Sequence, residues 1–168
     1  ALGDQVQFKE GNAGGEANNC TTIIDGFLSE GVDLILANAT ASLTAAASAT
    51  ADIPILGTAI TNYGVALNLD STEDKVLGGN ISGTSDLAPL DQQAQLLQEM
   101  FPDAENVGLL YCSAEPNSVF QVDTIQGYLE DMGYTCTQYA FTDGNDLASV
   151  PQTAYDGSGV IYIPTDNA

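Results

Sequence analysis

Apolar runs alternate along the chain with stretches whose apolar positions recur every three or four residues. That alternation predicts βαβ units built on a parallel sheet. Strands are expected near Val6–Glu10, Val32–Ala37, Ile53–Gly57, Val107–Cys112, Tyr134–Phe141 and Val160–Ile163. Val32-Asp33-Leu34-Ile35-Leu36-Ala37 and Val160-Ile161-Tyr162-Ile163 are nearly continuous apolar runs, the pattern of strands covered on both faces. Between the strands the helical period takes over. From Glu16 to Glu30, Ala17, Cys20, Ile24 and Phe27 fall on one stripe, and Gly31 follows where a left-handed cap residue belongs. Leu90, Ala94, Leu97 and Phe101 make a second stripe, and Val122, Ile125, Leu129 and Met132 make a third ahead of Gly133. Each reads as core. The small-residue stretch Ala37–Ala51 reads as a tightly packed helix opened by a Thr40 cap, because alanine is the best helix former. Pro151 interrupts a simple helix after Asp146, so that element either starts near Ser149 or is kinked. Turn residues concentrate between Gly78 and Pro89, separating two βα-rich halves, and this seam is expected to be a crossover between lobes.

The length of 168 residues allows one good core or two small lobes, and 44% hydrophobic with 15% charged residues lies in the globular range. Lys9 and Lys75 are the only cationic side chains against 23 acidic ones, with no Arg and no His, giving a net charge of -21. Such a chain repels phosphate backbones and anionic head groups, which excludes nucleic-acid binding and electrostatic membrane docking as functions. An acidic, solvated surface suited to salty or extracellular surroundings is the plain meaning of the charge. Cys20, Cys112 and Cys136 show no CxxC spacing and have no histidine companion, so neither zinc nor thioredoxin-like chemistry is supported. Cys112 and Cys136 fall in two predicted strands, where two buried thiols are the ordinary reading and a disulfide the alternative. No signal peptide opens the sequence, and no apolar run approaches the roughly 20 residues of a membrane span.

In an open α/β sheet, ligands bind beyond the carboxyl ends of the strands. Five segments follow strands or the seam: Asn38-Ala39-Thr40-Ala41-Ser42, Thr58-Ala59-Ile60-Thr61-Asn62, Thr84-Ser85-Asp86, Ser113-Ala114-Glu115-Pro116-Asn117-Ser118, and Pro164-Thr165-Asp166-Asn167. All are rich in hydroxyl, amide and acidic groups, which suit a polar zwitterion or a polyol. Any one alone would be read as a helix cap or turn, and their coincidence at strand ends favours a pocket. Enzyme motifs are missing: without His there is no Ser-His-Asp triad, and neither a GxSxG elbow nor a GxxxxGK[ST] loop occurs. Gly11-Asn12-Ala13-Gly14-Gly15 lacks dinucleotide spacing, and Asp143-Gly144-Asn145-Asp146 begins like a calcium loop without its remaining ligands, so both read as turns. No cofactor or metal is expected, and no catalysis. Asn38-Ala39-Thr40 and Asn80-Ile81-Ser82 match the glycosylation pattern by composition alone.

Gly79-Asn80-Ile81-Ser82-Gly83-Thr84-Ser85-Asp86, Leu110-Tyr111-Cys112-Ser113-Ala114-Glu115-Pro116-Asn117-Ser118 and Ile161-Tyr162-Ile163-Pro164-Thr165-Asp166-Asn167 together resemble one family. It is the tryptophan/tyrosine-type solute-binding protein family of ABC importers. Val32–Ala37 and Ile53-Pro54-Ile55-Leu56 are similar to its first lobe. The resemblance implies an α/β, type I periplasmic-binding-protein-like fold of two doubly wound parallel-sheet lobes, here incomplete, with residues 1–83 in the N-terminal lobe and 84–168 in the C-terminal one. It further implies an extracytoplasmic protein, periplasmic or a cell-surface lipoprotein, that binds a small polar ligand and serves an ABC permease. An aromatic amino acid is the expected ligand, with a nucleoside- or sugar-binding component, or a sensory ectodomain of the same fold, as the alternative.

Two departures from the family pattern matter. Typical members are nearly twice as long, and their first strand would lie between those at Val6 and Val32, which are left here without a shared neighbour. With no Arg, an amino acid's carboxylate is expected at the helix N-termini after Thr40 and Asn117, its ammonium at Asp166 with Glu115 or Asp86 next, and its ring on Tyr63, Tyr111, Phe120 or Tyr162.

Overall fold

Each half of the chain builds its own three-stranded parallel sheet, in strand order β1-β2-β3 in one and β5-β4-β6 in the other. The computed structural model describes residues 5–69 and 77–166, and contacts divide the chain into Ala1–Asp86 and Leu87–Ala168.

In the first unit, α1 (Ala17–Glu30) leads into β1 (Ile35–Asn38), α2 (Thr40–Ala49), β2 (Ile55–Ile60), α3 (Tyr63–Leu67) and β3 (Ile81–Ser85). Cys20 and Ile24 are the buried positions of α1, and Gly31 ends it at φ 72°. The Gly31 N–H returns to Leu28 O and the Val32 N–H to Phe27 O, so the last turn closes as the glycine foretold. Ile24, Ile35, Ala37, Leu43, Ala46, Ile55 and Ile60 form the core. α2 packs on β1 and β2, and α1 on α2.

Several expectations are corrected here. Residues 6–10 form no strand and are exposed, Phe8 by 83%. A strand needs a ladder partner, and the described residues offer none there. β1 is buried on one face only: Ile35 and Ala37 are covered while Leu36 (68%) is exposed, as are Leu34 (51%) just ahead of it and Leu56 (40%) on β2. All three helices pack on the opposite side. Thr40 is the first helical residue and Ala39 holds the cap position, so Thr40 does not cap α2. One strand was missed: β3 lies in the seam between Gly78 and Pro89, its Ile, Ser, Gly and Thr having a turn-prone composition that hides it from pattern reading, and the division at Asp86/Leu87 falls inside that seam.

β3 fits against β2 because two glycines face each other. Gly57 and Gly83 are register partners, and the Tyr63 hydroxyl lies over both while donating to Thr84 O at 3.3 Å. A Cβ at Gly57 would meet that hydroxyl, whereas one at Gly83 would also strike the Gly57 backbone.

The second unit runs α4 (Leu90–Met100), β4 (Asn106–Cys112), α5 (Pro116–Asp131), β5 (Thr135–Phe141), a 3₁₀ turn (Asp146–Ala148), α6 (Val150–Gly157) and β6 (Val160–Tyr162). Here the central strand is covered on both sides, with Val107 to Cys112 all buried. Val107, Leu109 and Tyr111 pack with Ala94, Leu97, Val122, Ile125 and Leu129 of α4 and α5. Leu110, Cys112 and Phe141 pack on the other side with Val150. Of the expected stripe residues, Phe101 lies past the end of α4 and is exposed. Pro151 sits in the first turn of α6, where its missing N–H costs nothing, so the helix starts rather than kinks there. Cys112 and Cys136 are free thiols. In the β4–β5 register Cys136 faces Val107 and Cys112 faces Phe141. Five residues of strand, roughly 16 Å, therefore separate the two cysteines, which rules out a bond between them. No described helix is long and apolar enough to cross a membrane.

Two predictions follow from this packing. Gly57→Ala is expected to destabilise the protein by about 1–3 kcal/mol through overpacking against Tyr63. Tyr63→Phe in the same chain should recover part of that loss, while Gly83→Ala should not be rescued, as denaturant melts of the single and double variants will report. Burial pushes the Tyr162 hydroxyl up to about 12 from 10.0, and burial with the Glu130 carboxylate pushes the Cys136 thiol up to about 11 from 9.0. Both groups stay protonated longer in the folded chain, so their stabilisation is complete below pH 9 and is lost as pH rises through the folded values. Thermal melts across that range should show a fall in Tm that Cys136→Val and Tyr162→Phe each make shallower. An unchanged slope in both would contradict the assignment.

Candidate functional site

Parallel pairing brings the carboxyl ends of all strands in a sheet to one edge, and the five polar segments begin there. In the first unit, the Ala39 N–H donates to Thr58 O at 3.0 Å, tying the end of β1 to β2. Ala39 (φ 75°, ψ 162°) and Ala59 (φ 54°) both adopt backbone conformations that side chains disfavour. Strain of this kind, of order 1–3 kcal/mol per residue, gathers at binding sites. No side chain caps α2, so the first-turn amides of Thr40, Ala41 and Ser42 keep the partial positive charge of a helix N-terminus.

The other expected residues of this unit are partly committed elsewhere. The Ser42 hydroxyl lies 3.8 Å from Cys20 Sγ, on the α1 side of the helix. Asn62 caps α3, its Oδ1 accepting from the Val65 N–H at 3.1 Å. Thr61 is buried, and its carbonyl accepts from Ser85 Oγ at 3.0 Å. The Asp86 N–H donates to Ile60 O at 3.0 Å, fixing the chain as it leaves β3, and Thr84 presents its carbonyl to Tyr63. Thr58 is half-buried, and Asp86 is exposed.

The second unit assembles a tighter constellation. Asp166 Oδ2 accepts from Ser118 Oγ at 2.6 Å and from the Cys112 N–H at 3.2 Å. The carboxylate is thus clamped between the end of β4 and the first turn of α5. Gln121 donates from Nε2 to Thr165 O at 2.8 Å and to Asn117 O at 3.2 Å, and its Oε1 accepts from the Thr165 N–H at 3.3 Å. The loop after β6 is therefore latched to α5 by both backbone and side chain. Asn117, Ser118 and Gln121 are 2%, 0% and 1% exposed. Pattern reading had not singled out Gln121, although a polar residue four positions after Asn117, beside Val122, was the available signal. The Ser113 N–H and Oγ both donate to Phe141 O, at 2.8 and 3.2 Å, so this hydroxyl joins strand ends. Glu115 occupies the cap position of α5 and is half-buried. Asn167 lies outside the described residues.

The electrostatics here are those of a half-buried acidic corner around a buried thiol. Burial pushes the Cys112 thiol above its ordinary value, and the Asp166 and Glu115 carboxylates add to this, while backbone N–H groups of Ala114 and Glu115 oppose it. Of the four candidate rings, Tyr63, Tyr111 and Tyr162 are built into the cores, and their hydroxyls donate to Thr84 O, Gln138 Oε1 and Gln93 Oε1. Phe120, half-buried on α5, belongs to none of the clusters described.

Similarity to known proteins covers nearly the whole chain. A tyrosine-binding protein of Clostridioides difficile (strain R20291) is 33% identical over 165 residues, which is 98% of this chain and 47% of that protein. A Streptococcus pneumonia ABC domain solved in complex with L-Trp is 33% identical with a TM-score of 0.89, covering 96% of this chain and 56% of the other. A conserved domain protein from Vibrio cholerae is 29% identical with a TM-score of 0.90, covering 98% of this chain and 55% of the other. The fold is the type I periplasmic-binding-protein one. The chain spans about half the length of the relatives it matches. With the ABC transporter substrate binding protein model matching residues 2–168, this chain belongs to that family.

Proposed function

We propose that the protein carrying this chain is the extracytoplasmic solute receptor of an ABC importer, that it takes up an aromatic amino acid on the polar loops at the carboxyl ends of its sheets, and that it delivers the ligand to a membrane permease. The observation that carries this reading is the clamped Asp166 carboxylate at the end of the second sheet, an anionic acceptor preset by Ser118 and the Cys112 N–H. The related tyrosine-binding protein and the relative solved with L-Trp support the ligand class. The receptor performs no chemical step, because its role is to bind and release.

In the first unit, the uncapped first turn of α2, at Thr40, Ala41 and Ser42, offers backbone N–H groups to an anion. The first turn of α5 does not suit a second anion: Pro116 brings no N–H, the Ser118 and Val119 amides donate to Glu115 O, and Asp166 already stands there. The ammonium therefore belongs at Asp166. Thr58, Thr61, Thr84, Ser85 and Asp86 line the carboxyl edge of the first sheet, and Ser113 and Thr165 that of the second, as its polar rim.

L-Tryptophan or L-tyrosine should raise the melting temperature of the protein, with about 2.7 kcal/mol of stabilisation at a hundredfold excess over Kd. A shift with a nucleoside or a sugar and none with any L-amino acid would refute the ligand assignment. Asp166→Asn should weaken amino-acid binding by roughly tenfold or more with little change in Tm, since the amide oxygen still accepts from Ser118. Ser118→Ala should show the reverse emphasis, losing about 1–3 kcal/mol of stability and less affinity. Calorimetry and melts on both variants separate the two roles, and equal effects on affinity would count against Asp166 as the ammonium partner.

A further inference from the structure

The second unit has no cationic side chain of its own. Leu87–Ala168 contains no Lys, Arg or His, and every carboxylate described in it except Glu115, Asp146 and Asp166 is exposed. Topology decides where these charges gather. In a parallel sheet each helix returns the chain to the amino ends of the strands, so α4, α5 and α6 finish along one edge, ahead of β4, β5 and β6. Backbone bonds knit that edge together, the Thr135 N–H donating to Glu105 O at 2.9 Å and the Gly159 N–H to Asn106 O at 3.0 Å. Each of the three helices carries a carboxylate in its last turn: Glu99 on α4, Glu130 and Asp131 on α5, and Asp156 on α6. None has a basic residue there. The last turn is the negative end of a helix, where the unpaired carbonyls favour a cation and disfavour an anion. These carboxylates therefore stand against their own helix dipoles as well as against one another. In the first unit α1 also ends on an acid, Glu30, but there Lys9 supplies the counter-charge. The second unit has no residue with which to do the same.

We infer that dissolved cations take the place of the missing basic side chains: the second unit reaches full stability only as salt approaches molar strength, and the protein is built to work in such a medium. The cations form a diffuse atmosphere along the edge and occupy no fixed site. The inference is independent of the ligand. Its scale follows from two lengths. Packed helices lie about 8–10 Å apart, whereas charges interact over about 10 Å at 0.1 M salt and about 3 Å at 1 M. Dilute buffer thus leaves carboxylates on neighbouring helix ends repelling one another, and molar salt separates them electrically. The same screening weakens the clash of each carboxylate with its own helix end, an effect confined to the last turn.

Thermal melts of the protein from about 0.05 M to about 2 M sodium chloride test this. Tm is expected to rise by roughly 10 °C or more, most of it below 1 M. Asp131→Lys and Asp91→Lys separate the charge at helix ends from the overall charge. Both alter the net charge equally, but Asp91 lies in the first turn of α4, where an anion is favoured. At the lowest salt Asp131→Lys should raise Tm and flatten its dependence on salt, while Asp91→Lys should raise it less or lower it. At the highest salt the two variants should converge. A Tm that stays level across the salt range overturns the inference, and so do equal gains from the two variants at the lowest salt.

Discussion

Parallel strand pairing is the constraint on which the rest of this chain depends. Because β1, β2 and β3, and likewise β5, β4 and β6, run in one direction, every strand must be followed by a return across a sheet face. The returning helices build the cores, and the carboxyl ends of all strands in a sheet open on one edge. Polar residues placed just after the strands are thereby gathered without any further instruction. Asp166 meets Ser118 and the Cys112 N–H because β6 lies beside β4 and α5 starts where β4 ends.

The elements with strong periodicity were legible from the residues alone. α5 shows why: Val122, Ile125 and Leu129 recur at helical spacing, and all three are fully buried. Gly31 marked a helix end through backbone chemistry that needs no tertiary context, and of the two readings Pro151 allowed, a start or a kink, the structure shows the start. Where the reading failed, the deciding partner lay far off in sequence. β3 is a strand because Gly83 fits against Gly57 and Tyr63, a fact about two distant segments. Val6–Glu10 carries a strand-like pattern but has no neighbour among the described residues to pair with. Leu34 and Leu36 belong to an apolar run suited to two covered faces, of which α1, α2 and α3 cover one.

Residue types at strand ends picked out the polar loops, and the structure adds the bonds that each side chain makes there. Asn62 and Ser113, both expected as ligand contacts, respectively cap α3 and join β4 to β5. Gln121 was passed over because it sits within a helix, and only its bonds to Thr165 reveal it as the latch of the loop. The strained Ala39 leads directly into the uncapped first turn of α2.

The most direct test is a crystal structure of the protein with L-tryptophan or L-tyrosine bound. The account predicts the ligand's ammonium nitrogen within hydrogen-bonding distance, about 2.7–3.2 Å, of an Asp166 carboxylate oxygen. A ligand carboxylate in that place, or a ligand seated away from the carboxyl ends of the strands, would contradict it.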